Sequence, residues 1–94
     1  MNHKKTETTA LINELIKSKM KEQMSRQKST IKTLVALSLS IEKSRNYLSS
    51  VLNLNNLPRM DVLYSCAYAL GCSVHALMPT RDEIHQELEI RKGN

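Results

Sequence analysis

Residues Ser44–Asn53 read SRNYLSSVLN, and the fold turns on how that stretch winds. At 100° per residue, Arg45, Asn46, Ser49, Ser50 and Asn53 share one arc of roughly 140°, while Tyr47, Leu48, Val51 and Leu52 share the opposite arc. A helix with this pattern buries one face and leaves the other polar. Exposed helix faces commonly mix Lys with Glu, whereas this one carries a guanidinium, two carboxamides and two hydroxyls, and no carboxylate. Such groups match base edges and phosphate oxygens, so the face is a candidate nucleic-acid contact. The alternative is an ordinary solvated surface.

Immediately before it, Leu34–Ile41 (LVALSLSI) is apolar enough for a short helix packed beneath the first, with Ser29, Thr30 or Thr33 available as its cap. Further back, Thr8 or Thr9 can cap a long helix reaching Gln27, with Leu11, Ile12, Leu15, Ile16, Met20 and Met24 at spacings of three and four. Its other face bears Lys17, Lys19, Lys21 and Arg26, which can meet phosphates or water, and for most of them solvation is the ordinary reading. Residues 1–7 are polar and read as a flexible N-terminus.

After the stretch, Leu54–Pro58 (LNNLP) is a loop, since Asn tolerates unusual backbone angles and Pro58 disfavours helix at the residue before it. A helix then starts near Arg59, buries Met60, Leu63, Cys66, Ala67 and Leu70, and stops at Gly71. Ser73 caps a short turn through Met78, and Pro79 ends it. Thr80 and Glu83 form the S/T-x-x-E pattern of a capping box. They open a last helix with Ile84 and Leu88 on one side, too short at about twelve residues to be stable alone.

Ninety-four residues make one domain. The core has no Phe or Trp to draw on, and Leu, Ile, Val, Met and Ala, with two Gly, two Pro and no strict alternation, favour an all-helical design over a sheet. The net charge of +5 is uneven: residues 1–50 hold ten Lys and Arg against four Glu, and residues 51–94 hold four against five acids. A basic half fits a polyanion partner. Cys66 and Cys72 read as small core residues in a reducing compartment. His3, His75 and His85 have no ligand-like spacing, so neither a metal nor another cofactor is expected. With no apolar run of about 18 residues and no leader-like segment, the chain is expected to be cytoplasmic.

From Leu37 to Met78 these residues resemble the Cro/repressor (Xre-type) family of helix-turn-helix DNA-binding domains. The likeness lies in Leu37 with small Ser38, Ile41, Ser44, Leu48 and Val51, Asn53, Pro58, Met60 and Leu63, and above all ALGCSVHALM (Ala69–Met78). It implies an all-α, five-helix lambda-repressor-like domain over residues 8–78, with an extra C-terminal helix in 79–94. It further implies that helix 44–53 reads the major groove of double-stranded DNA through Arg45, Asn46, Ser49 and Ser50. Thr33, Ser44, Tyr47, Asn53, Asn55, Asn56 and Arg59 match phosphate-binding positions. The chain departs from the family at Leu34, where a phosphate-binding Gln is usual, at Glu42, the usual turn Gly, and at Lys43, usually apolar. A second alignment takes Leu37–Ser40 as the turn and starts the reading helix near Ser40. Both keep Arg45, Asn46, Ser49 and Ser50 on one face.

The expected function is sequence-specific transcriptional regulation, as a Cro-like repressor acting as a homodimer. In that dimer the terminal helix packs across a second copy, onto Tyr64 and Tyr68, or folds back on its own domain. Two other readings stand beside it: an antitoxin-type autorepressor whose tail at residues 79–94 covers a toxin, and a protein-interaction module that keeps the fold without binding DNA. An enzyme is not expected, because no nucleophile, base or metal constellation is present.

Overall fold

A computed structural model describes residues 3–53 and 57–92. Its elements are α1 (His3–Met24), α2 (Leu34–Ser40), α3 (Tyr47–Leu52), α4 (Met60–Leu70), a 3-10 turn over Val74–Leu77, and α5 (Arg81–Lys92). No strand occurs among the described residues, and the expected all-α class is the one adopted.

Helix α1 is longer at its start than expected. It already includes His3, so Thr8 and Thr9 are interior residues rather than caps. No Gly or Pro interrupts residues 3–9, and extending a helix that has nucleated is far easier than starting one. It also ends earlier, at Met24 rather than Gln27. There the Ser25 N–H is shared between Lys21 O and Glu22 O at 2.9 and 3.3 Å, and the Arg26 N–H turns to Gln23 O at 3.3 Å. That is the tighter 3-10 pattern in which helices commonly run out.

Of the three possible caps for α2, the chain uses Thr33, whose Oγ1 accepts the Ala36 N–H at 3.0 Å. The other end closes with the Glu42 N–H on Leu39 O at 3.0 Å and the Lys43 N–H on Ser38 O at 3.0 Å. Helix α4 ends on the same pair of bonds: the Gly71 N–H to Tyr68 O at 3.2 Å and the Cys72 N–H to Ala67 O at 3.0 Å. This closure requires a left-handed residue. Gly71 supplies it at φ 70°, as expected, and Glu42 supplies it at φ 62° despite its side chain.

The core gathers Ile16, Met20 and Met24 of α1, Leu37 of α2, Leu48 and Leu52 of α3, a full face of α4, and Val74 and Leu77 of the 3-10 turn. The face expected of α4 needs one correction. Met60 is 50% exposed, and Val62 is buried beside Leu63, Cys66, Ala67 and Leu70. As the first residue of its helix, Met60 falls outside the buried part of the face, and Val62 closes that end. At Ser73, no side-chain cap forms; its backbone carbonyl takes the Ala76 N–H at 3.0 Å instead.

The capping box of α5 is formed in both directions: the Glu83 N–H donates to Thr80 Oγ1 at 3.1 Å, and the Thr80 N–H donates to Glu83 Oε1 at 2.8 Å. The helix lies on α1 of its own chain. Lys19 Nζ meets Glu83 Oε2 at 2.9 Å, and an Arg91 Nη2 meets Glu14 Oε2 at 2.6 Å. Ile84 and Leu88 are thereby half-buried. Tyr64 and Tyr68, expected to receive a terminal helix, stay 58% and 91% exposed.

Candidate nucleic-acid interface

Helix α3 is six residues long and opens at Tyr47, not at Ser44. The segment 44–46 is a turn instead, in which the Tyr47 N–H bonds Ser44 O at 3.1 Å, and Asn46 precedes the helix at φ −100°, ψ 11° without capping it. The alternative start near Ser40 is excluded, since Ser40 is the last residue of α2. Arg45 and Asn46 therefore stand on the turn leading into α3 rather than within its first coil.

What fixes that turn is Ser38. Its buried hydroxyl donates to Leu34 O at 2.8 Å and accepts the Leu48 N–H at 3.1 Å, satisfying one of the amides that every helix start leaves open. On the outside, Lys43 Nζ sits 5.2 Å from the centroid of the Tyr47 ring, close enough for a cation–π attraction. Leu48 and Leu52 face the core, and Tyr47 and Val51 are half-buried, so the apolar face expected of the stretch is the one buried.

The opposite face carries the expected polar groups. Arg45, Asn46, Ser50 and Asn53 are exposed, and Ser49 is half-buried, with its hydroxyl donating to Asn46 O at 3.2 Å. Ser44 is exposed on the turn. Thr33 is exposed at the start of α2, where one of its oxygen's lone pairs already serves the Ala36 amide. Arg59 lies apart at the start of α4, with its Nε 3.4 Å from Asp61 Oδ1; a neighbouring carboxylate weakens the case for it as a phosphate contact. Asn55 and Asn56 lie outside the described residues.

The sequence reading left Lys17 and Lys21 between phosphate and solvent and did not single out Lys32. A groove of about 550 Å³ between α1, α2 and α3 brings Lys21 and Lys32 beside Thr33, Leu34 and Ser49. A second, of about 290 Å³, sets Lys17 and Lys21 beside Leu52 and Asn53, with Glu14, which pairs with Arg91, on the same wall. Lys17 and Lys21 are one turn apart on α1, a spacing visible in the sequence, but only the packing of α1 against α3 brings them to the polar face. Neither takes part in an ion pair among the described residues. Residues 43–53 contain no carboxylate. The polar face is thus flanked by cations on its α1 and α2 side and by Lys43 and Arg45 at the turn.

No family model, curated protein or solved structure matches this chain. Its chemistry must be read from its own residues. Among those described, no group of His, Cys, Asp and Glu is placed to hold a metal ion. Burial pushes the Cys66 thiol up to about 11, with Cys72 adding to the effect, and burial also raises Cys72, which disfavours the thiolate a nucleophile needs. Among the described residues, no single helix is long and apolar enough to cross a membrane.

Proposed function

We propose that this chain is a sequence-specific DNA-binding regulator of transcription, a Cro-like repressor of the helix-turn-helix type. The observation that carries the reading is the junction of α2 and α3, pinned by Ser38, which holds a carboxylate-free polar face next to Lys17, Lys21 and Lys32. In this reading Arg45 pairs with the O6 and N7 of guanine, and Asn46 with the N6 and N7 of adenine. Ser49 and Ser50 make shorter contacts on the next turn.

The division of labour follows from reach and charge. Lys17 and Lys21 of α1 and Lys32 just before α2, with Thr33, Ser44, Tyr47 and Asn53, set the register on the phosphate backbone, and contacts of that kind carry no sequence information directly. Placing Arg45 and Asn46 on the turn before α3 gives their side chains the leading position at the helix N-terminal end, the end that approaches base edges in helix-turn-helix docking. In this reading regulation is by occlusion of the promoter.

Recovery of bound duplexes from a random-sequence library tests this. Enrichment of a short motif, lost on Arg45→Ala, is the expected outcome. A library that emerges unenriched, from a protein that is folded by circular dichroism, overturns the reading.

A further inference from the structure

We propose that the outer face of α4 is the contact surface for a second copy of this chain. Met60, Tyr64 and Tyr68 follow one another every four residues along α4, which places them on a single stripe, and they are 50%, 58% and 91% exposed; Leu57, in the extended segment leading into the helix, is 51% exposed. Large apolar residues are seldom left contiguous on a surface without a partner. The only charge on α4 itself is Asp61, in its first turn, and none of these four residues is charged.

Charge selects the occupant. A symmetric pair brings the same patch together from both copies, so a charged patch would face its own sign across the axis. Much of this chain's surface would do that, because its net charge is +5 and its basic half carries ten Lys and Arg. The α4 stripe is a neutral exception, and its Tyr and Met are residue types enriched where proteins meet, while charge is depleted there.

Shape agrees. A groove of about 420 Å³ runs beside the stripe, between Ile41 and Glu42 at the end of α2 and Tyr64, Tyr68 and Ala69 of α4, and can take a tyrosine ring from the second copy. The chain's own terminal helix does not fill this place, since it is seated on α1 through Lys19–Glu83 and Arg91–Glu14. Four side chains at this exposure offer on the order of 500 Å² per copy, the lower edge of what specific interfaces bury. The dimer is accordingly weak and forms in a concentration-dependent way. Two DNA-reading faces joined through it would bind a two-fold site with a large gain from linkage, but the interface stands whether or not the chain binds DNA.

Sedimentation velocity of the full chain, without DNA, from micromolar to millimolar concentration, tests the interface separately from the DNA reading. The expected result is a shift from monomer to dimer mass. Tyr68→Lys and Tyr64→Lys, both at exposed positions and checked for an unchanged melting temperature, should each raise the dissociation constant about tenfold or more. A wild-type chain that stays monomeric throughout assigns the stripe to some other partner and overturns the proposal. So does a dimer that both lysine variants leave intact.

Discussion

The Ser38 hydroxyl accepts the Leu48 N–H at 3.1 Å across the junction of α2 and α3. Asn46, the residue in the capping position of α3, makes no side-chain cap, so the acceptor comes from another helix, ten residues back in the chain. The same oxygen donates its proton to Leu34 O. One small side chain thus sets the position of α3 relative to α2, and with it the aim of Arg45 and Asn46.

Ser38→Ala removes that acceptor and leaves the Leu48 amide buried without it. The expected loss is about 1–2 kcal/mol, read from the midpoint of urea denaturation. An unchanged midpoint would mean that packing of Leu37 and Leu48 holds the junction unaided.

Glu42 and Gly71 occupy equivalent left-handed positions, one with a side chain and one without. The left-handed conformation costs an ordinary L-residue about 1–2 kcal/mol, of which glycine's extra unfolded-state freedom returns roughly 0.5–1 kcal/mol. Glu42→Gly is therefore expected to stabilise by up to about 1 kcal/mol. Gly71→Ala should destabilise by a similar amount, up to about 1 kcal/mol, because the same two terms act in reverse and no atom lies within 4 Å of the added Cβ. Thermal melts of both variants check the pair, which must move in opposite directions.

On DNA, the turn residues and the α1 lysines should separate. Arg45→Ala and Asn46→Ala are each expected to weaken binding to the selected site by about 1–3 kcal/mol while changing random-sequence binding little. Lys17→Ala and Lys21→Ala should weaken both alike, and each should reduce the slope of log affinity against log salt by about 0.9. Fluorescence anisotropy across a salt series distinguishes them, and equal losses in all four variants would remove the distinction between reading and anchoring.

Glu83 gives α5 a dependence on pH. The bond from Lys19 is the largest of the influences that hold its carboxyl below the ordinary value of 4.5, with the Thr80 amide next. A carboxyl lowered on folding stabilises the folded form fully above its unfolded value, and that contribution fades as pH falls through the lowered one. Acid should therefore loosen α5 from α1, observed as broadening or loss of the α5 amide resonances, and Glu83→Gln should remove this pH dependence. Loss at the same pH in the Gln variant would trace the effect to another group.

The features legible in the sequence are those closed by near neighbours. Thr33 with Ala36, one of three caps on offer, Thr80 with Glu83, and Gly71 at the end of α4 each involve residues within five positions. The two faces of Ser44–Asn53 were legible as well, since burial follows helical period. The start of α3 was not, because it is set by Ser38 from the preceding helix. The left-handed turn at Glu42 was hidden by a residue that ordinarily avoids that conformation. Lys17 and Lys21 join the candidate interface only through the packing of α1 on α3, and α5 finds α1 through partners 64 and 77 residues apart.

That last separation bears on the order in which the molecule assembles. No residue of α5 is fully buried, and its contacts close the longest loops among the hydrogen bonds described here, so it gains least until the rest is in place. It should dock late in folding and open first under native conditions, exchanging its amide hydrogens at a free energy well below that of global unfolding. Helix α1 then belongs to two cooperative units at once: Ile16, Met20 and Met24 with the core, and Glu14 and Lys19 with a helix that comes and goes.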